Sequence, residues 1–62
     1  MLSLDLPIDL LVSILNTYLR SKYKNLSDLC EYENLCYCKL CEKLSINDYF
    51  YNETLNQIKK NA

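Results

Sequence analysis

Residues 6–15 read LPIDLLVSIL, and this stretch predicts the first and longest helix of the chain. A proline in the first helical turn loses no hydrogen bond, because the N–H that it lacks would be unpaired there. Asp9 suits the positive end of the helix dipole, and Arg20 suits the negative end. We therefore predict a helix from about Pro7 to Arg20.

The apolar face of this predicted helix is unusually wide. Its polar residues fall within roughly 100° of the helical circumference, while aliphatic residues and Tyr18 spread over about 200°. That is about twice the stripe that a surface helix needs. One side of the face therefore packs on the chain itself, and the other contacts a partner. Leu10 and Ile14 face the partner if Ile8, Val12, Leu15 and Leu19 face inward, although the reverse assignment stays open.

A self-contained bundle is the alternative to a partner. In that arrangement the later helices cover the first helix from both sides and leave no exposed strip. These later helices are short, and short helices depend on tertiary packing. A partner therefore explains the wide apolar face more simply.

Length and composition predict one small helical domain over residues 1–62. The chain has 62 residues, of which 50% are hydrophobic, with one proline and no glycine. Without glycine, left-handed turns and tight hairpins are hard to make, so helices joined by plain loops remain. We predict an all-α fold, a small orthogonal bundle of three to four helices.

The later helices follow from apolar spacing and capping signals. We predict a helix from about Ser27 to Tyr32, a break at Glu33–Asn34 and a helix from about Leu35 to Leu44. The stretch Ser45–Asp48 is similar to a capping box, which predicts a last helix from about Asp48 to Lys59. Residues 60–62 are expected to fray.

Charge and hydropathy limit the partners and the compartment. Seven Lys and Arg stand against eight Asp and Glu, so the formal charge is −1. No basic stripe is present, and we expect no nucleic-acid partner. No apolar run approaches the roughly 18 residues of a membrane span, and no signal-peptide pattern precedes one. The sequence predicts an intracellular protein of the cytoplasm or nucleus.

Four cysteines lie within twelve residues, at Cys30, Cys36, Cys38 and Cys41. Structural zinc sites pair C-x2–4-C knuckles over longer separations, and only Cys38 and Cys41 have knuckle spacing. A disulfide framework is opposed by helical spacing, which points Cys36 and Cys38 away from the other two. We expect small, buried or half-buried thiols and no cofactor or metal, with a zinc or redox protein as an alternative.

Catalysis has little support in the sequence. The chain contains no histidine, and it has no phosphate-binding glycine loop and no nucleophile elbow. The carboxylates Glu31, Glu33 and Glu42 fit the solvated side of a helix. We therefore expect a protein that is not an enzyme.

The N-terminal motif resembles the opening of an F-box. Leu6-Pro7-x-Asp9-Leu10-Leu11-x-x-Ile14-Leu15 matches that family's Leu-Pro, acidic and aliphatic positions. Residues 25–30, Asn-Leu-Ser-Asp-Leu-Cys, are similar to its second helix. Asn34-Leu35, Leu40-Cys41 and Tyr49-Phe50-Tyr51 resemble F-box-like sequences of large DNA viruses. The resemblance covers about residues 4–55 and implies an F-box-like bundle.

The same resemblance implies a partner and a set of contact residues. The partner is the Skp-type adaptor of a cullin-RING ubiquitin ligase, in a host cell if the protein is viral. Nine residues would bind it: Leu6, Pro7, Ile8, Leu10, Leu11, Ile14, Leu26, Leu29 and Cys30. A few aliphatic anchors would dominate such helix-in-groove docking. The alternatives are self-association and a small helical structural subunit of a larger assembly, such as a virion.

Overall fold

A computed structural model describes residues 2–61 of the chain. In this range three helices are followed by a two-stranded antiparallel sheet. The elements are α1 (Ile8–Ser21), α2 (Leu26–Tyr32), α3 (Tyr37–Ile46), β1 (Tyr49–Asn52) and β2 (Gln57–Lys60). The prediction of an all-α bundle is therefore wrong: the fold is mixed α/β, because the fourth predicted helix is a β-hairpin.

The hairpin follows from the residues that the sequence analysis assigned to that helix. Consecutive aromatic residues favour a strand, and β1 begins with three of them. Ile58 on β2 is buried, while the next two residues of that strand are exposed. Ser45 is not a helix N-cap, because it lies inside α3. Asp48 has φ 63°, which is incompatible with a helix continuing through it.

Asparagine and aspartate supply the left-handed backbone that glycine would otherwise provide. Asn34, Asp48 and Asn56 have φ values of 59°, 63° and 53°. Short polar side chains tolerate this region better than other non-glycine residues. A glycine-free chain can therefore make a tight helix end and a hairpin, whereas its composition had predicted helices joined by plain loops.

The predicted helices lie close to the observed ones. Pro7 is the N-cap of α1, which ends one residue after Arg20. The predicted break is confirmed: α2 ends in a Schellman motif with left-handed Asn34, in which the Leu35 N–H donates to the Cys30 carbonyl at 2.8 Å. The third helix begins two residues later than predicted and extends to Ile46.

One hydrophobic core joins the helices and the hairpin. α1 contacts β2, α3 contacts β1, and α2 lies against both neighbouring helices. The segment before α1 is held by Lys43, whose Nζ donates to the Leu4 carbonyl and, at 3.0 Å, to the Leu6 carbonyl. The buried side chains are Leu2, Leu11, Val12, Leu15, Leu19, Leu26, Leu29, Cys30, Leu40, Leu44 and Ile58.

The C-terminal end is more ordered than predicted where the structure describes it. Lys60, the first residue of the predicted frayed tail, is the last residue of β2. The Asn61 N–H donates to the Asp48 carbonyl at 2.6 Å and extends the pairing by one residue. Ala62 lies outside the described residues.

Candidate functional site

An apolar strip runs along the solvent side of α1. We define the α1 strip as Pro7, Leu10, Ile14 and Tyr18, which are spaced by three, four and four residues and so share a helix face. Leu10 is 49% exposed and Pro7 is exposed, while the other two side chains are half-buried. The opposite face of α1 fills the core. The inward orientation of Val12, Leu15 and Leu19 thus leaves Leu10 outward.

Only part of the predicted contact set lies on the surface. Leu11, Leu26, Leu29 and Cys30 are each at most 3% exposed, because they form the centre of the chain's own core. They are therefore corrected from contact residues to core residues. Leu6 and Ile8 are half-buried against that core. Of the nine predicted residues, those with exposed or half-exposed side chains are Leu6, Pro7, Ile8, Leu10 and Ile14.

A second surface feature is a groove of about 680 Å³ between α3 and β1. Two exposed aromatic side chains flank it, Tyr37 from α3 at 41% exposure and Phe50 from β1 at 43%. We call this feature the α3–β1 groove. Its lining residues are Tyr37, Cys41, Leu44, Ser45, Tyr49, Phe50, Tyr51, Asn52, Glu53, Thr54 and Asn61.

One tyrosine of the groove and one cysteine near it have raised pKa values, which favour their neutral forms. Burial, and next the neighbouring Cys41 thiol, raise the pKa of Tyr37 above its ordinary value, with a smaller contribution from Glu53. Behind the groove, burial raises the pKa of the Cys30 thiol to about 11. At neutral pH such a thiol is protonated and therefore a poor nucleophile.

The four cysteines form neither a bridge nor a ligand cluster in residues 2–61. All are free thiols: Cys30 is buried, Cys41 is half-buried, and Cys36 and Cys38 are exposed. No group of three or more potential ligand side chains in this range is placed to hold a metal ion. The exposure of Cys36 and Cys38 corrects the prediction that these thiols are buried or half-buried.

Three tyrosines form an aromatic cluster at the C-terminal end of α1. Tyr23 stacks on Tyr32, with ring centroids 5.9 Å apart, and meets the edge of Tyr18 at 6.1 Å. The Tyr23 hydroxyl donates to the Glu33 carboxylate at 2.5 Å. This hydrogen bond is the main reason that the pKa of Tyr23 is raised to about 12. These contacts connect the loop before α2 with the loop after it.

Residues 33–36 connect α2 and α3 with the turn length of a helix–turn–helix unit. Left-handed Asn34 lies in this turn, where such units often contain glycine. The second helix of this unit carries mixed charge on its outer side: Lys39 and Glu42 are both exposed. Lys43 is engaged with the carbonyls of the N-terminal segment. This surface therefore lacks the basic stripe typical of DNA-binding helices.

The groove was not predicted from the sequence because it depends on the hairpin. The available signal was the aromatic run 49–51 followed by an asparagine-rich loop, which is more typical of a strand and turn than of a helix. Two asparagines anchor the hairpin on α1 through long-range contacts that no local pattern reveals. Asn56 donates to the Leu19 carbonyl at 2.9 Å, and Asn16 pairs with Ile58.

The chain belongs to the DUF4250 family, because the family model described as "Domain of unknown function (DUF4250)" matches residues 7–58. The match covers all three helices and most of the hairpin. No curated protein and no solved structure matches the chain. Within residues 2–61, every helix is too short or too polar to traverse a bilayer.

Proposed function

We propose that this member of the DUF4250 family is a non-enzymatic protein-interaction domain that inserts the α1 strip into an apolar groove of another protein. The observation that carries the proposal is Leu10, which is 49% exposed in the first turn of a helix whose opposite face forms the core. Helix-in-groove docking uses apolar anchors spaced by three or four residues, and the α1 strip has this spacing.

The framework behind the strip supports this role. Leu11 and Leu15 are completely buried directly behind it, so α1 is fixed on the core before any partner binds. A helix that is already ordered loses less conformational entropy on binding than one that folds on its partner. Pro7 also fixes the backbone at the start of α1, where the strip begins.

The identity of the partner stays a prediction from the resemblance. The motif from Leu6 to Leu15 favours a Skp-type adaptor, and the family description adds no term that concerns ubiquitin ligases. Titration with purified adaptor tests this partner directly. If the adaptor does not bind while another protein contacts the α1 strip, the interaction role stands and the adaptor prediction is wrong.

Two aspartate substitutions, Leu10→Asp and Ile14→Asp, test the proposed surface. Leu10→Asp places a charge on the exposed strip and is expected to abolish partner binding while the far-ultraviolet circular dichroism stays unchanged. The matched control is Ser27→Asp, an exposed polar position on α2. Partner binding that survives Leu10→Asp and Ile14→Asp would contradict the proposal.

Duplex DNA is the second candidate, favoured by the helix–turn–helix connection. Nonspecific DNA affinity rests mainly on phosphate neutralisation by Lys and Arg. The formal charge of −1 and the mixed charge of α3 oppose it. Fluorescence anisotropy with labelled duplex DNA at low salt is therefore expected to show no saturable binding, and saturable binding would favour this candidate instead.

A further inference from the structure

The two outer edges of the hairpin differ in how their backbone groups are used. The strands pair with Tyr51 opposite Ile58 and Phe50 opposite Lys59. The Asn61 N–H donates to the Asp48 carbonyl, which makes that pair hydrogen-bonded. Hydrogen-bonded and non-hydrogen-bonded pairs alternate in an antiparallel ladder. Consequently the backbone groups of Tyr51 and Ile58 point away from each other, toward the two outer edges.

The outer edge of β2 is covered by a side chain. Asn16 of α1 accepts from the Ile58 N–H at 2.6 Å and donates to the Ile58 carbonyl at 3.2 Å. The amide of Asn16 therefore takes the place of a neighbouring strand at this residue. This pairing also confirms independently that the Ile58 backbone groups point outward.

The outer edge of β1 has no such cover. By the same alternation, the N–H and carbonyl groups of Tyr49 and Tyr51 point outward from the hairpin. Outside the ladder, no hydrogen bond among residues 2–61 uses these four groups. Unpaired groups of an edge strand are a ready template for another strand. Tyr49 and Tyr51 both line the α3–β1 groove.

We propose that the outer edge of β1 binds an extended segment of a partner protein, which adds a third strand to the sheet and lies in the α3–β1 groove. Main-chain hydrogen bonds to Tyr49 and Tyr51 provide affinity, and alternate side chains of the segment provide specificity. One apolar side chain packs between Tyr37 and Phe50. This site is separate from the α1 strip, so the proposal does not depend on the proposed function.

The carboxylate among the lining residues of the groove favours a segment that carries a cation. Glu53 is exposed at the end of β1, and it is the charged side chain among the described residues that line the groove. A Lys or Arg of the bound segment can face it. A second copy of β1 provides no such cation: antiparallel pairing centred on Phe50 places Asn47 opposite Glu53, and β1 itself contains no Lys or Arg.

Selection from a phage-displayed random-peptide library against the full chain provides the probe. The selected peptide is synthesised and N-methylated at each backbone position in turn, and its affinity is measured by calorimetry. N-methylation at every second residue is expected to weaken binding about tenfold, because the N–H groups of those residues donate hydrogen bonds to β1. N-methylation at the intervening residues is expected to have little effect. Amide hydrogen exchange is expected to slow at Tyr49 and Tyr51 upon binding.

The groove is tested from the protein side by Glu53→Lys, which is expected to weaken the selected peptide about fivefold or more by charge reversal. The matched control is Glu31→Lys, an exposed carboxylate on α2. Three results would overturn the proposal. The first is a loss of affinity upon N-methylation that does not alternate from one peptide residue to the next. The others are amide protection at the α1 strip in place of β1, and a dimer, detected by sedimentation, that pairs through β1. The Leu10→Asp variant is expected to lose partner binding at the α1 strip and to keep peptide binding at β1. The two proposals can therefore fail separately.

Discussion

Single polar side chains hold the hairpin on the helical core. Asn16 and Asn56 are the main examples, since each makes two hydrogen bonds to backbone groups of another element. A buried backbone group that loses its partner destabilises a fold by more than the bond itself contributes, because water cannot replace the partner. These two asparagines therefore matter to stability although neither belongs to the apolar core.

Asn16→Ala is expected to lower the free energy of unfolding by about 1–3 kcal/mol, because it leaves the Ile58 N–H and carbonyl without partners. Urea denaturation followed by circular dichroism measures the change. Ser13→Ala is the control, since this exposed residue on the same helix gains similar helix propensity without losing a tertiary bond. Equal stability of the two variants would show that Asn16 does not hold β2.

Tyr23 is the residue whose titration reports on the aromatic cluster. Its pKa is raised from 10.0 to about 12, chiefly by the hydrogen bond to Glu33. The folded state favours the neutral phenol, so this stabilisation is complete below pH 10 and disappears as the pH rises through about 12. Glu33→Gln is expected to bring the pKa of Tyr23 back toward its ordinary value.

Ring resonances of ¹³C-labelled tyrosine, followed against pH, measure that shift. Glu31→Gln serves as the control, because this exposed carboxylate lies on α2 outside the hydrogen bond to Tyr23. A pKa of Tyr23 that is unchanged in Glu33→Gln would mean that burial, and not the carboxylate, causes the shift.

At the scale of elements, periodicity predicted the helices but not the hairpin. The predicted bounds of α1 and α2 agree with the observed ones within about a residue, and for α1 the N-terminal proline is the strong signal. The hairpin was not predicted because residues 45–48, which overlap the end of α3, have the sequence of a capping box, although Asp48 is left-handed. The groove was not predicted because it depends on the hairpin. The two hairpin anchors were not predicted because they are contacts across some forty residues of sequence.

The turn between α2 and α3 depends on one backbone conformation. Asn34 has φ 59° within the Schellman motif that ends α2. Alanine tolerates this region poorly, so Asn34→Ala is expected to lower the free energy of unfolding by about 1 kcal/mol, whereas Asn34→Gly is expected to retain stability. Thermal denaturation of the two variants distinguishes backbone strain from a lost side-chain contact, because a lost contact would destabilise both equally.

At the scale of the whole molecule, the small size of the chain makes each buried leucine important. A domain of this length buries only about 60% of its unfolded surface and is marginally stable. Its radius of gyration is 10.3 Å, and six leucines are fully buried. Leu10 is exposed to solvent because the other elements of the described chain pack against one side of α1.

A comparison of Leu29→Ala with Leu10→Ala tests this division between core and surface. Leu29 is 0% exposed, and its truncation is expected to lower the free energy of unfolding by about 2–5 kcal/mol, enough to unfold a large fraction of a marginal domain. Leu10 is 49% exposed, and its truncation is expected to cost less than about 1 kcal/mol. Chemical denaturation measures both, and comparable losses would mean that α1 has no face available to a partner. If the pair separates as expected, any loss of partner binding in the Leu10 variant can be assigned to the α1 strip and not to unfolding.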